Sequence, residues 1–283
     1  MATFSSIDGK LIRVPEHFVP KSMVEWDRVP SCLECIVSED MLLEPERDGN
    51  GNGISILERN VVNIMPAVGC GVDNLDTMEA KDLIPLDRYQ EFVLGDVKIA
   101  TVFMQEKRRR VECIFMMNTH SANDDEEELV RTRVCCYLHD NNQLKSPIEI
   151  TKERKTSRES SRGIIAKGGG LDARTVTGLV GKDNISRPFC DGEAMDLCKL
   201  DGVWTVNEET VERDASFWNS DASTSFSVPG NILVRNCPSP RSLEICLILE
   251  PSDAASLKRL VVQHMFDDTA QSSVNCYEEL KVE

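Results

Sequence analysis

Hydrophobic and polar positions alternate most regularly in the last fifty residues. Four runs, at 231–237, 242–250, 257–266 and 274–282, each read as a strand. The breaks between them carry turn chemistry: Pro238, Ser239 and Pro240, then Pro251, Ser252 and Asp253, then Asp267, Asp268 and Thr269. Strands so evenly spaced predict an antiparallel meander, the raw material of a barrel or a sandwich. In the third run, Leu257, Arg259, Val261, Gln263 and Met265 share one face, and Lys258, Leu260, Val262, His264 and Phe266 share the other. A charge such as Arg259 within an apolar strand is expected at a rim or on the outside. Placed inside, it must be paired.

Earlier segments extend the β pattern. Strands are predicted at 33–37, 55–65, 97–105, 111–117, 129–139 and 148–154, and from Gly202 to Val211. The run at 129–139 has two unlike faces: Val130, Thr132, Val134, Cys136 and Leu138 against Arg131, Arg133, Cys135, Tyr137 and His139. A short helix is expected at 75–83, a hairpin tip at 48–53 and another at 107–110, and a polar lead-in over 1–19. Residues 155–186 are polar and glycine-rich and read as a long excursion. The expected architecture is all-β, with long loop insertions, little helix, and one domain over 20–283.

Composition narrows the function. The net charge of −16 repels phosphate backbones and anionic membrane surfaces, so nucleic acid is not an expected partner. No apolar stretch approaches the ~18 residues that a transmembrane helix needs, and no signal-peptide pattern opens the chain. The 11 cysteines fall mostly within strand-like runs, as small buried hydrophobes, which points to a reducing, intracellular setting. Aromatic residues make up only 5% of the chain, so each Trp carries more information than usual.

Most motif-level chemistry is excluded by spacing. Gly168 to Gly170 and Gly181-Lys182 do not form a phosphate loop, because Lys182 is followed by Asp183. Cys32 and Cys35 have C-x-x-C spacing but no second pair and no His pair, so no metal is expected there. The four histidines, His17, His120, His139 and His264, stand in no nucleophile motif, and no catalytic set is assigned.

The C-terminal stretch LEICLILEPSDAASLKRLVVQHMFDD, followed by YEELKV, resembles the closing strands of the lipocalin-like (calycin) chromophore-lyase group. The matching residues are Glu250-Pro251, Leu257, Arg259-Leu260, Glu279 and Lys281. PKSMVEWD at 20–27, IMPAVGCGVD at 64–73 and RPFCDGE at 187–193 resemble the uncharacterised plant and algal branch of that group. The chain departs from the lyases in its excursion at 155–186 and in the residues that follow Arg259-Leu260.

The resemblance implies an up-and-down calycin-like barrel with a cavity for a hydrophobic or tetrapyrrole-type molecule. It also implies a carrier, chaperone or bilin-lyase-like role, with an acceptor protein as partner and a plastid setting. No cofactor is certain; a bilin is the ligand implied. Its propionates require cations, its pyrrole N–H groups a carboxylate, and its flat rings aromatic walls. Arg259 and Arg235 are the candidates for propionate, Glu279 for pyrrole nitrogen, and Trp204 and Tyr277 for stacking. Of these, only Arg259 and Glu279 lie on the matching motif. The alternative is a non-catalytic interaction or assembly module whose barrel is filled by its own side chains.

Overall fold

The computed structural model describes residues 2–27, 29–30, 32–44, 54–66, 75–105, 109–120, 127–154, 196–206, 209–220, 223–228, 230–239, 241–249, 257–267 and 272–282. The excursion expected at 155–186, the tip at 48–53 and the segments at 67–73 and 187–193 lie outside these residues. The fold is mostly β and antiparallel. No helix among the described residues is long and apolar enough to cross a membrane.

The chain runs β1 (Ala2–Ser5), β2 (Leu11–Ile12), α1 (Lys21–Glu25), β3 (Cys32–Glu44), β4 (Ile54–Pro66), β5 (Leu75–Pro85), β6 (Tyr89–Leu94), β7 (Val97–Met104), β8 (Arg110–His120), β9 (Glu127–Leu138) and β10 (Leu144–Arg154). It continues with β11 (Gly202–Val206), β12 (Glu209–Arg213), α2 (Ala215–Trp218), β13 (Asn219–Ser220), β14 (Ser223–Val228), β15 (Ile232–Pro238), β16 (Arg241–Leu249), β17 (Lys258–Phe266) and β18 (Ser272–Val282). The first ten strands form one sheet, ordered β5-β4-β3-β1-β10-β9-β8-β7-β6, with β2 beside β1. The last eight form a second, ordered β12-β11-β18-β17-β16-β15-β14-β13. The C-terminal meander is β15 to β18, in consecutive antiparallel pairs.

Three expectations are corrected. The helix expected at 75–83 is strand β5, paired with β4 along its whole length; a long partner in register overrides a local helical pattern. The lead-in is not peripheral. All four residues of β1 are buried, and the strand pairs with β10 on one side and β3 on the other. Four residues are too few to display a period, and the partners are distant in sequence. The run from Gly202 to Val211 is two paired strands, β11 and β12, rather than one.

The main core lies between the sheets. It packs Ile99, Val111, Phe115, Val134, Cys136, Ile148 and Ile150 of the first against Phe226, Val234, Ile245, Leu260 and Val262 of the second. Each such side chain contributes about 1.5–3 kcal/mol by leaving water. One polar group enters. His264 Nε2 lies 2.8 Å from Thr101 Oγ1, which donates to the Glu112 carbonyl at 2.7 Å. That hydroxyl therefore accepts from a neutral His264 protonated on Nε2, an assignment made from the hydrogen-bond network. The other nitrogen, Nδ1, is buried without a partner.

Both sheets curl. Arg59 on β4 and Glu112 on β8 stand five strand steps apart, roughly 24 Å on a flat sheet. Their charged atoms are 2.6 Å apart, so the first sheet bends into a half-barrel. In the second, β12 and β15 are also five steps apart, yet Arg213 and Arg235 reach the same Phe217 ring. The outward faces make the shared core. The concave faces hold the buried charges, beside smaller apolar clusters around Trp204 and Trp218 in the second sheet and around Leu57, Ile84 and Val102 in the first.

Candidate functional site

The two concave faces both carry arginines and glutamates, in opposite states of satisfaction. In the first, Arg133 spends each nitrogen on a different carboxylate: Nε on Glu153 at 2.9 Å, Nη1 on Glu112 at 2.7 Å and Nη2 on Glu39 at 3.0 Å. Arg59 joins Glu112 at 2.6 Å and Glu39 at 2.8 Å, and Arg131 joins Glu39 at 2.6 Å and Glu153. Burial raises the pKa of Glu112 and of Glu39, but the neighbouring guanidinium charges outweigh it and hold both at about 2. Only Arg59 Nη2 here, with Arg110 Nε at the margin, lacks a hydrogen bond. A lattice this complete is a structural filling. Its residues Arg131 and Arg133 are those that alternation sets on the polar face of the 129–139 strand.

The second concave face gathers all five residues singled out from the sequence. Antiparallel register places Arg259 opposite Glu279, Val261 opposite Tyr277, Arg235 opposite Glu244, and Val206 opposite Glu279. Arg259 and Glu279 are both 0% exposed, with Arg259 Nη2 2.7 Å from Glu279 Oε2. Arg259 is therefore not at a rim or outside; the curl of the sheet encloses it. The contact is a charge pair without hydrogen-bond alignment, and all three guanidinium nitrogens of Arg259 lack a hydrogen-bonded partner. Burial works against the charged form of Arg259, while the Cys246 and Glu279 side chains favour it, and the net shift is upward. Its guanidinium carbon stands 5.0 Å from the Trp218 ring centroid and 5.7 Å from that of Trp204. Trp204 itself is a wall, its Nε1 donating to the Leu200 carbonyl at 2.9 Å.

Arg235 lies at the next polar row, bonded to Glu244 at 3.0 Å. Tyr277 lines an open cleft of about 650 Å³ together with Val206, Glu209, Val211, Arg213, Val274, Asn275, Cys276 and Glu279. Burial pushes the Cys276 thiol up to about 11, so it is no thiolate at neutral pH. Arg213 donates to Glu279 Oε1 at 3.0 Å. Sequence reasoning missed Arg213, Glu244, Phe217 and Trp218. The period-2 pattern of β12, which sets Glu209, Val211 and Arg213 on one face, was the available signal.

Unmatched buried groups concentrate here: Nε of Arg213, Arg235 and Arg259, Nη1 and Nη2 of Arg259, and one oxygen each of Glu244 and Glu279. Five donors against two acceptors is an excess of positive hydrogen-bonding capacity, which native interiors do not leave without a reason. No protein-family model matches the chain, and no curated protein sequence matches it.

Proposed function

We propose that this protein binds a small hydrophobic molecule of open-chain tetrapyrrole type in the cleft of the second concave face. Its role is that of a carrier, a chaperone or a bilin-lyase-like protein, on a half-barrel of calycin-like type. The observation that carries this reading is an open cleft of about 650 Å³ lined by Arg213, whose Nε is buried without a hydrogen bond, as are nitrogens of Arg235 and Arg259 on the same concave face. That volume lies within the ~300–1,000 Å³ of small-molecule sites. Arg213 and Glu279 supply opposite charges at the cleft wall, and Val206, Val211 and Tyr277 supply apolar and aromatic surface.

Titration of the purified protein with biliverdin, read by induced absorption and Trp quenching, tests it. Val211→Trp fills the cleft and is expected to weaken binding by about tenfold or more, equivalent to ~1.4 kcal/mol. Unchanged affinity in that variant would remove the cleft from consideration. Arg259→Met is expected to weaken binding by about 1.5–3 kcal/mol, the range for a charged hydrogen bond. Its thermal midpoint should fall as well, because Glu279 is left fully buried with Arg213 as its one close cation. A large fall in midpoint with binding intact would make Arg259 structural.

A second reading, a ligand-free assembly module, draws on the solidly packed core between the sheets and the saturated first face. It predicts no response to bilins, haem breakdown products or fatty acids.

A further inference from the structure

We propose that Phe217 is a built-in occupant of a slot between Arg213 and Arg235, and that this slot takes a planar conjugated ring carrying one carboxylate on a short arm. The inference deepens the cleft reading above and rests on it for the ligand's route in, since Arg213 lines the cleft.

The geometry is specific. The guanidinium carbons of Arg213 and Arg235 stand 3.8 and 3.9 Å from the Phe217 ring centroid, stacking distances for a cation on an aromatic face. Each arginine is pinned from behind by a carboxylate, Arg213 by Glu279 and Arg235 by Glu244, both at 3.0 Å. The two cations are thus held at one ring by strands that curl to bring them there. The Phe217 ring matches their faces and fails their edges. Nε of both arginines is buried without a hydrogen bond, and a phenyl edge offers only C–H. A ring of the same thickness bearing a carboxylate would keep the stacking and provide the missing acceptor.

Charge agrees. Among the buried groups, Arg213, Arg235 and Arg259 carry three positive charges and Glu244 and Glu279 two negative ones, while the further carboxylate at the cleft wall, Glu209, is exposed and screened by water. Phe217 is only partly buried. Its ring also meets Trp218 edge to face at 4.8 Å, so a ligand ring would enter the slot by displacing Phe217 from that contact.

The test uses 1-pyrenebutyrate and its neutral amide as fluorescent probes on the full chain. Phe217→Ala is expected to raise affinity for both probes through the vacated stacking faces, and for the acid by about tenfold more than for the amide, the scale of one charge-assisted hydrogen bond to the free Nε atoms. Adding Arg235→Met should abolish that gain. Phe217→Leu, which keeps apolar bulk without a ring, gives a smaller gain and serves if the alanine variant unfolds on heating too early to assay. An equal gain for acid and amide, no gain in either variant, or a gain that survives Arg235→Met overturns the proposal. Val211→Trp separates it from the cleft reading. Bilin binding lost on Val211→Trp, with no Phe217-dependent gain, sinks the slot alone. A Phe217-dependent gain in a protein that binds no bilin sinks the cleft reading alone.

Discussion

Arg133→Met is expected to lower stability by about 3–5 kcal/mol, the range for breaking a buried ion pair by removing one partner. Arg133 is 6% exposed and serves three carboxylates at once. Methionine restores apolar volume but leaves Glu39, Glu112 and Glu153 sharing Arg59 and Arg131, one positive charge short inside the half-barrel. Glu112 suffers most, since it is 2% exposed and keeps Arg59 at 2.6 Å and Arg110 only at 3.8 Å. Urea unfolding is the measurement, because urea adds no ions to screen the network. The midpoint should fall at an unchanged slope. Arg133→Met/Glu112→Gln should regain part of the loss by removing the stranded charge. A loss under about 1 kcal/mol, the size of an exposed pair, would mean that water reaches the network and that it does not fill the half-barrel.

Acid should destabilise the fold in two steps, and the first belongs to His264. Burial lowers its pKa from 6.5 to about 4. The unfolded chain therefore binds a proton that the folded one refuses between those values. Stability contributed by neutral His264 is complete above pH 6.5 and is lost as pH falls to about 4. The difference of roughly 2.5 units is worth about 3 kcal/mol. The second step comes from Glu39 and Glu112, whose folded pKa of about 2 lies below the ordinary 4.5. Their contribution is complete above pH 4.5 and disappears as pH falls through 2. His264→Gln preserves a donor to Thr101 and cannot titrate. Its stability should stay flat from pH 7 to about 5 and then fall with the carboxylates. A variant that still loses stability between pH 6.5 and 5 in parallel with the wild type would show that another group controls the first step.

Much of the second sheet was legible without coordinates. The four C-terminal runs became β15 to β18 within two residues at each boundary, because the hydrophobic period and the proline and aspartate turns agree. The division of β17 into an Arg259 face and a Leu260 face also holds, with Leu260 and Val262 in the shared core and Val261 beside Trp204 and Trp218. On β9, the apolar face packs into the core and the arginine face supplies the ionic lattice. Strand β5 and the burial of β1 were not legible, because their partners lie far along the chain and their own residues are weak signals.

By itself, then, the sequence determined that the chain is antiparallel β, where most strands lie, and which side chains travel together on each face. The tertiary structure alone decided that the strands divide between two curled sheets, that Arg259 turns inward, and that Arg213, Arg235 and Phe217 meet. The reason is geometric. A repeat of two residues assigns neighbours to the same side of a strand, but it carries no information on whether that side becomes the convex or the concave surface. Only the curl of each sheet, set by contacts between strands five places apart, brings distant charges to within bonding distance.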